Sequence, residues 1–445
     1  MENRIFVPGR NINEETLVRA ATVGISGYDA DENEVEKSLD ELSRLLDTAG
    51  AEVIFRLVQN KATPDPRFLL GSGKVAELSA LCHMHEVSLV VFDTDLSPSQ
   101  IRNLEDALSS EQMPVRVIDR SMLILDIFAL HAVTGEGKLQ VELAQLKYTA
   151  PRLSGHGTEM SRLGGGIGTR GPGETKLESD RRHMQRRIYA LENELRVVEK
   201  NRKTMRASRD RSGCVKVAIV GYTNAGKSTL LNYLTDAGIL AQDKLFATLD
   251  PTTRKYRLPC GEEILLTDTV GFIRKLPHHL VKAFRSTLDE AVYADVLLIL
   301  VDASDPEAEA QLAVTEELLK ELGAADKPTI YAFNKCDRGV VVHRAVKSGD
   351  ESRPVYLSAK TGQGVDQLVS AIEEIVLSGK RRVTYRIPNS DAGAVSKLYM
   401  VASVESVDYG AEAITVVAMA DAKARGQMKA YAVDDLPEAK EEWED

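Results

Sequence analysis

The sequence predicts a multidomain α/β protein: an N-terminal parallel α/β domain with a helical hairpin, a doubly wound domain on a mixed sheet, and a small α+β C-terminal domain. Three observations predict it. Strand-like and helix-like segments alternate between residues 21 and 119. The β-branched run Val217 to Val220 passes directly into a glycine-rich turn and a helix. Apolar and polar residues alternate from 382 to 432. A chain of 445 residues has room for about three domains. The expected bounds are 1–137, 138–211 for the hairpin arm, 212–379 and 380–445.

In the first domain the strand candidates are Thr22 to Ile25, Glu52 to Val58, Leu89 to Phe92 and Val115 to Ile118. Glu34 to Thr48, Lys74 to His83 and Pro98 to Leu108 read as the intervening helices. Gly71 to Lys74 resembles a truncated phosphate loop, but the full spacing is absent and no buried strand runs into it, so a helix start is expected. From Ser121 the chain turns helical. Leu139, Leu143, Leu146 and Leu153 form one apolar stripe, and Leu191, Leu195 and Val198 another. The glycine-rich run from Ser161 to Gly173 separates them, with Arg152, Arg162, Arg170 and Lys176 around it. Arg170 to Lys216 holds fourteen Lys and Arg against seven Asp and Glu, a local +7 in a chain of net charge -11. Such a surplus is the footprint of a phosphate backbone, although many basic runs are only solvated helix faces.

Composition excludes several classes. No apolar run nears the ~18 residues of a membrane span, and Met1 to Ala20, with Glu14 and Glu15, does not read as a signal peptide. The expected location is the cytoplasm, with membrane association at most transient, and a monomer is expected. Cys82, Cys214, Cys260 and Cys336 are too far apart for a zinc motif or a disulfide framework and read as small core residues.

The turn after Val220 carries the chemistry. Gly221, Gly226, Lys227 and Ser228 fit G-x-x-x-x-G-K-S, a P-loop whose backbone amides, including those of Tyr222, Thr223, Asn224 and Ala225, can close around phosphates at a helix N-terminus. Lys227 is expected on the β- and γ-phosphates and Ser228 on Mg²⁺. Asp268, Thr269, Val270 and Gly271 follow a strand. Asp268 can hold Mg²⁺ through water, and the Gly271 amide can sense a γ-phosphate. Asn334, Lys335, Cys336 and Asp337 end another strand. The Asp337 carboxylate can accept two hydrogen bonds from guanine that adenine cannot donate. Ser358, Ala359 and Lys360 can aim an amide at the guanine O6. In this order the segments read as a P-loop GTPase domain binding GTP and GDP. Between P-loop and DTVG lie Phe246, Ala247, Thr248, Leu249 and Asp250; Thr248 is the expected switch ligand to Mg²⁺ and Thr252 the alternate. The expected catalytic set is Lys227, Thr248 and Gly271.

These motifs, with LFATLDPTTR (245–254), DTVGFIRKLPHHLVKAFRSTLDE (268–290), LILDIFALHAVTGEGKLQVELAQLKY (123–148) and SRLGGGIGTRGPGETKLESDRR (161–182), resemble the HflX family of translational GTPases. The resemblance spans roughly residues 20 to 380. It implies binding to the large ribosomal subunit and its rRNA, dissociation of stalled or idle ribosomes, and a helical hairpin approaching RNA. Arg162, Arg170, Lys176, Arg181, Arg182, Arg186 and Arg187 are the expected RNA contacts. Phe272 stands where many small GTPases carry a water-orienting glutamine, so slow intrinsic hydrolysis is expected. Asn224 occupies the position where some related GTPases coordinate K⁺. The competing reading is an RNA-remodelling ATPase or helicase working through Gly71 to Lys74.

Overall fold

The computed structural model describes residues 17–27, 32–61, 63–151, 172–210, 214–235, 238, 244–246, 249–275, 277, 285–342 and 354–433. Arg152, Leu153, Arg162, Arg170, Ala247, Thr248, Gly213, most of the glycine-rich run and the acidic tail from Asp434 lie outside the described residues, as does the side chain of Lys176.

The first sheet has the order β2 (Ala51–Asn60), β1 (Val18–Ser26), β3 (Leu89–Phe92), β4 (Arg116–Asp119), with every pair parallel. Parallel strands need helical crossovers, which explains the periodicity of the sequence. The crossovers are α1 (Glu32–Thr48), α2 (Ser72–Met84) and α3 (Pro98–Leu108). Ser97 caps α3 in a capping box with Gln100, and Pro98 sits at its first turn, where no amide partner is lost. The Gly71 turn is a helix start. The Gly71 amide donates to Gln59 Oε1 at 2.9 Å, and Lys74 pairs with Glu77 at 3.0 Å, so both are engaged within the domain.

Two helices, α4 (Arg120–His131) and α5 (Gly135–Thr149), lead to α6 (Pro172–Asp210), which packs along α5. Helix α5 spans the expected boundary at 137/138. Its buried face is also not the leucine stripe. Gly137, Gln140, Val141 and Ala144 are buried, while Leu139, Leu143 and Leu146 are half-buried; at Gly137 a Cβ would lie 2.5 Å from Asp250 Oδ1. On α6, Ile188 and Leu191 face inward.

The second sheet has the order β10 (Val355–Tyr356), β9 (Thr329–Asn334), β8 (Val296–Asp302), β5 (Val215–Gly221), β7 (Glu263–Asp268), β6 (Thr252–Arg257). Within it β6 runs antiparallel, against β7. Helices α7 (Lys227–Thr235), α8 (Arg285–Tyr293), α9 (Ala308–Glu321) and α10 (Val365–Ser378) complete the doubly wound domain. The chain then forms a three-stranded antiparallel sheet of order β11 (Lys380–Pro388), β13 (Ala413–Asp421), β12 (Ser403–Tyr409), with α11 (Gly393–Val401) and α12 (Ala422–Met428). Alternate residues Val383, Tyr385 and Ile387 face its core, the strand period anticipated from the sequence.

The first two sheets share one hydrophobic core. Leu123, Ile124 and Phe128 of α4 belong to the same cluster as Tyr222, Leu245, Phe246 and Phe272 of the second domain. Inside this seam lies Arg120, only 2% exposed. Its guanidinium donates to Asp93 Oδ1 at 2.9 Å, Glu41 Oε2 at 2.5 Å and the Arg274 carbonyl at 3.1 Å. Removing it leaves Glu41 without its counter-charge and Asp93 with Lys275 alone. Arg120→Met is therefore expected to lower unfolding stability by about 3 to 5 kcal/mol. Urea denaturation of the full chain measures this; a loss under about 1 kcal/mol, the range of exposed pairs, would contradict the keystone role.

Candidate active site

Strand β5 delivers its carboxyl end to the phosphate loop because Val217 to Val220 are all buried between helices, which fixes the strand and the turn after it. Gly226 has φ +95°, and a Cβ there would lie 2.3 Å from Asn334 Nδ2, so only glycine fits where loop and base platform meet. Asn224 is also left-handed, at φ 60°. Lys227 folds back over the loop and donates to the carbonyls of Gly221 at 3.2 Å and Tyr222 at 2.9 Å. Burial lowers its pKa to about 8, with Asp268 pulling in the other direction.

Ser228 Oγ donates to Asp268 Oδ2 at 2.6 Å, bringing the two expected metal-site residues together. Asp268 is fully buried, and its Oδ1 has no hydrogen-bond partner among the described residues. An orphaned carboxylate oxygen beside a hydroxyl at a phosphate loop fits water held by a hydrated magnesium ion. Burial raises the pKa of Asp268, opposed by Lys227 and Ser228.

The DTVG segment lies directly on the loop. Thr269 Oγ1 donates to the Ile219 carbonyl at 2.7 Å. A Cβ at Gly271 would meet Thr223 Cα at 2.7 Å and Lys227 Nζ at 2.9 Å, so the backbone approaches the lysine too closely for any side chain. Val270 and Phe272 are buried, and Phe272 exchanges backbone hydrogen bonds with Gly221 and Thr223 at 3.1 and 2.8 Å. Its ring thus belongs to the seam and offers no group to orient water.

At the far end of the crevice, Asn334 braces loop and platform. Its Nδ2 donates to the Ala225 carbonyl at 2.8 Å, and its Oδ1 accepts from the Ala359 amide at 2.9 Å. The Ala359 amide, expected to face a guanine O6, is thus engaged by Asn334 instead. Asp337 is exposed at the rim, where Ser358 Oγ donates to its Oδ1 at 2.6 Å and holds its pKa below the usual carboxylate range. Lys335 is left-handed at φ 64° and pairs with Asp302 at 2.7 Å. The Cys336 thiol donates to the Phe333 carbonyl, and Lys360 lies exposed beside Ala359.

The segment between P-loop and DTVG departs from expectation. Phe246 is buried and packs edge-on against Phe128, with ring centroids 4.8 Å apart, and Leu249 is buried in the same core. Asp250 accepts from the Val133 and Thr134 amides at 2.9 and 2.8 Å and from the hydroxyl of Thr134, the N-cap of α5. These three side chains pack or bond in the seam between domains. Thr252 opens β6 opposite Asp268 in the register. The cysteines need a similar correction: only Cys82 is buried, with its thiol pushed up to about 12 by burial, while Cys260 is exposed.

Arg181, Arg182 and Arg186 lie exposed on α6, but Arg187 grips Glu142 of α5 through Nε and Nη2 at 2.7 and 2.8 Å. Sequence motifs did not foretell the hydrogen-bonded chain of Glu41, Tyr222 and Arg274. Glu41 accepts from the Tyr222 hydroxyl, and that hydroxyl accepts from the Arg274 amide at 2.7 Å. A tyrosine inside a phosphate loop is the one local hint, since backbone alone suffices to hold phosphate there.

A phosphate-loop turn at the end of β5 carrying Lys227 and Ser228, with Asp268 beside it and the Asn334 to Asp337 segment braced to it through Asn334, has the make-up of the class of guanine-nucleotide-binding P-loop hydrolases. Family models describe residues 36–129 as "GTP-binding GTPase N-terminal", 131–209 as "GTP-binding GTPase Middle Region" and 216–335 as "50S ribosome-binding GTPase". The chain is 48% identical over 410 residues to a GTPase HflX of Lacrimispora saccharolytica, covering 92% of this chain and 93% of that one. It is 42% identical over 371 residues to GTPase HflX of Escherichia coli K12, covering 83% and 86%. It is also similar to a crystal structure of a GTP-binding protein from Sulfolobus solfataricus in complex with GDP, at 25% identity and TM-score 0.42, covering 80% of this chain and 98% of that one. The chain belongs to the HflX family of GTPases and is a GTP hydrolase.

Two outcomes follow from the geometry. Lys227 is charged below its pKa and neutral above it, so GDP affinity is expected to hold below about pH 8 and to fall by up to about tenfold per pH unit beyond. Calorimetry from pH 6.5 to 9.5 would show this, and a flat profile would contradict it. Asp337→Asn should weaken guanine binding by about 1.5 to 3 kcal/mol for each hydrogen bond removed. Unchanged discrimination between GTP and ATP would contradict that assignment.

Proposed function

We propose that the protein binds the large ribosomal subunit through its basic helical arm, hydrolyses GTP there, and splits or rescues stalled or idle ribosomes. The observation that carries this is the exposure of Arg181, Arg182 and Arg186 on a strongly basic element of an acidic chain. Phosphate backbones are bound by such surfaces. The ribosome-binding description of the family model that matches the GTPase domain supports it. The reading as an RNA-remodelling ATPase is weaker, since Gly71 and Lys74 are engaged inside their own domain and Asp337 suits guanine.

In this reading Ser228 and, through water, Asp268 hold Mg²⁺, with Thr248 or Thr252 as the switch ligand. When bound, the ion would supply positive charge that offsets the negative charge of the phosphates. The chain's own part is to cradle phosphates with Lys227 and the loop amides, and to bring the Gly271 amide to the γ-phosphate. Phe272 supplies no hydrogen bond to water. Order imposed on the switch segments by the ribosome would make up that lack. K⁺ on Asn224 is a rival source of help, and its signature is a K⁺ over Na⁺ preference that disappears in Asn224→Ala.

Large subunits are expected to raise single-turnover GTP hydrolysis by at least about tenfold, a barrier change of ~1.4 kcal/mol. Neutralising Arg181, Arg182 and Arg186 together should weaken ribosome binding and flatten its salt dependence by about one unit of slope for each phosphate no longer neutralised, leaving intrinsic turnover unchanged. Fast turnover indifferent to ribosomes, or an unaltered salt slope, would refute the respective half.

A further inference from the structure

Helix α1 of the N-terminal domain is pinned at two points to the segments that flank the phosphate site. Glu41 accepts from the Tyr222 hydroxyl of the phosphate loop, and Thr48 Oγ1 accepts from the Leu245 amide at 3.2 Å. Positions 41, 44 and 48 share one helix face, so Arg44 stands between the two pins. It lines a cavity of about 130 Å³ whose other wall includes Thr223 and Asn224. The Thr223 hydroxyl is buried with no hydrogen-bond partner among the described residues.

The other charges around this cavity are engaged. Lys37 and Arg274 both meet Glu307, Glu41 meets Arg120, Asp40 meets Arg56, and Asp302 meets Lys335. Asp305 accepts from Gln311 at 2.9 Å. Arg44 is exposed, and among the described residues its side chain has no ion pair or hydrogen bond. Holding an uncommitted guanidinium beside a phosphate loop makes sense if its partner arrives with the nucleotide. The loop needs such a group, because Phe272 is buried and cannot assist hydrolysis by hydrogen bonding.

We propose that Arg44 is a catalytic residue supplied within the chain by the N-terminal domain: its guanidinium contacts the β–γ bridging and γ-phosphate oxygens as negative charge develops on them during GTP hydrolysis. Water oxygen bonds to the γ-phosphorus, the bond to the β-phosphate oxygen breaks, and the water's protons leave on inorganic phosphate and solvent. Arg44 exchanges no proton; it stabilises charge, as arginine does well because its planar fork reaches two oxygens at once. This deepens the GTP hydrolase assignment and is independent of ribosome binding. It also replaces the K⁺ reading, since one small cavity does not hold two cations side by side at low cost.

The test uses the full chain. Arg44→Gln removes an exposed charge outside the ion pairs of the seam, so GDP affinity and thermal unfolding should match the parent. Single-turnover GTP hydrolysis should fall by about tenfold or more in Na⁺ and in K⁺ alike, and affinity for GDP with aluminium fluoride should fall in parallel. Arg44→Lys should recover only part of both. Hydrolysis and aluminium fluoride binding equal to the parent would overturn the proposal, as would full rescue of Arg44→Gln by K⁺. GDP affinity falling in step with hydrolysis would overturn it too, by showing a structural role.

Discussion

The seam depends on one buried charge. A guanidinium at 2% exposure needs counter-charge, because an unpaired buried ion is far more costly than an exposed one; Arg120 finds it at its two terminal nitrogens, while its Nε has no hydrogen-bond partner among the described residues. Arg120 finds two carboxylates in its own domain, Glu41 on α1 and Asp93 after β3, and its third acceptor in the other domain, the carbonyl of Arg274. The N-terminal domain therefore completes its internal electrostatics only by gripping the segment that follows DTVG. Lys275 reaches back to the second oxygen of Asp93 at 2.5 Å, so that segment is held from both sides.

From this grip the arrangement of the nucleotide site follows. Glu41, fixed by Arg120, orients Tyr222, and the Tyr222 hydroxyl holds the Arg274 amide. The backbone of Gly271 and Phe272 is thereby laid against Gly221, Thr223 and Lys227. On the opposite side, Phe246 against Phe128 and Asp250 on Thr134, the N-cap of α5, fasten the other phosphate-flanking segment to the same domain. Both segments expected to sense a γ-phosphate are thus packed against residues more than 100 positions away in the chain. A ring at 272 in place of a carboxamide is consistent with this, since the position works as seam core.

What the sequence made legible is what chemistry forces into a fixed local spacing. The P-loop residues, Lys227, Ser228, Asp268 and the Asn334 to Asp337 segment sit at strand ends where their motifs require, and β1, β3 and β4 were readable because burial on both faces demands apolar runs. The seam was not legible. Arg120, Glu41, Tyr222 and Asp250 make bonds across 79 to 181 residues, and apart from the place of Tyr222 inside the phosphate loop nothing local marks them for it. The leucines of α5 misled because apolar spacing marks a stripe without saying which flank is buried deepest; Gln140, Val141 and Ala144 took that place. Ala359 misled because its amide already had a partner in Asn334.

The central physical claim is that the phosphate-flanking segments and the N-terminal domain respond as one unit. Amide hydrogen exchange of the full chain, compared between GDP and a non-hydrolysable GTP analogue, tests it most directly. The predicted result is a change of protection in α1 and α4 together with residues 268–275, even though those helices carry none of the nucleotide-binding motifs. Changes confined to the second domain, with α1 and α4 exchanging identically in both states, would contradict it.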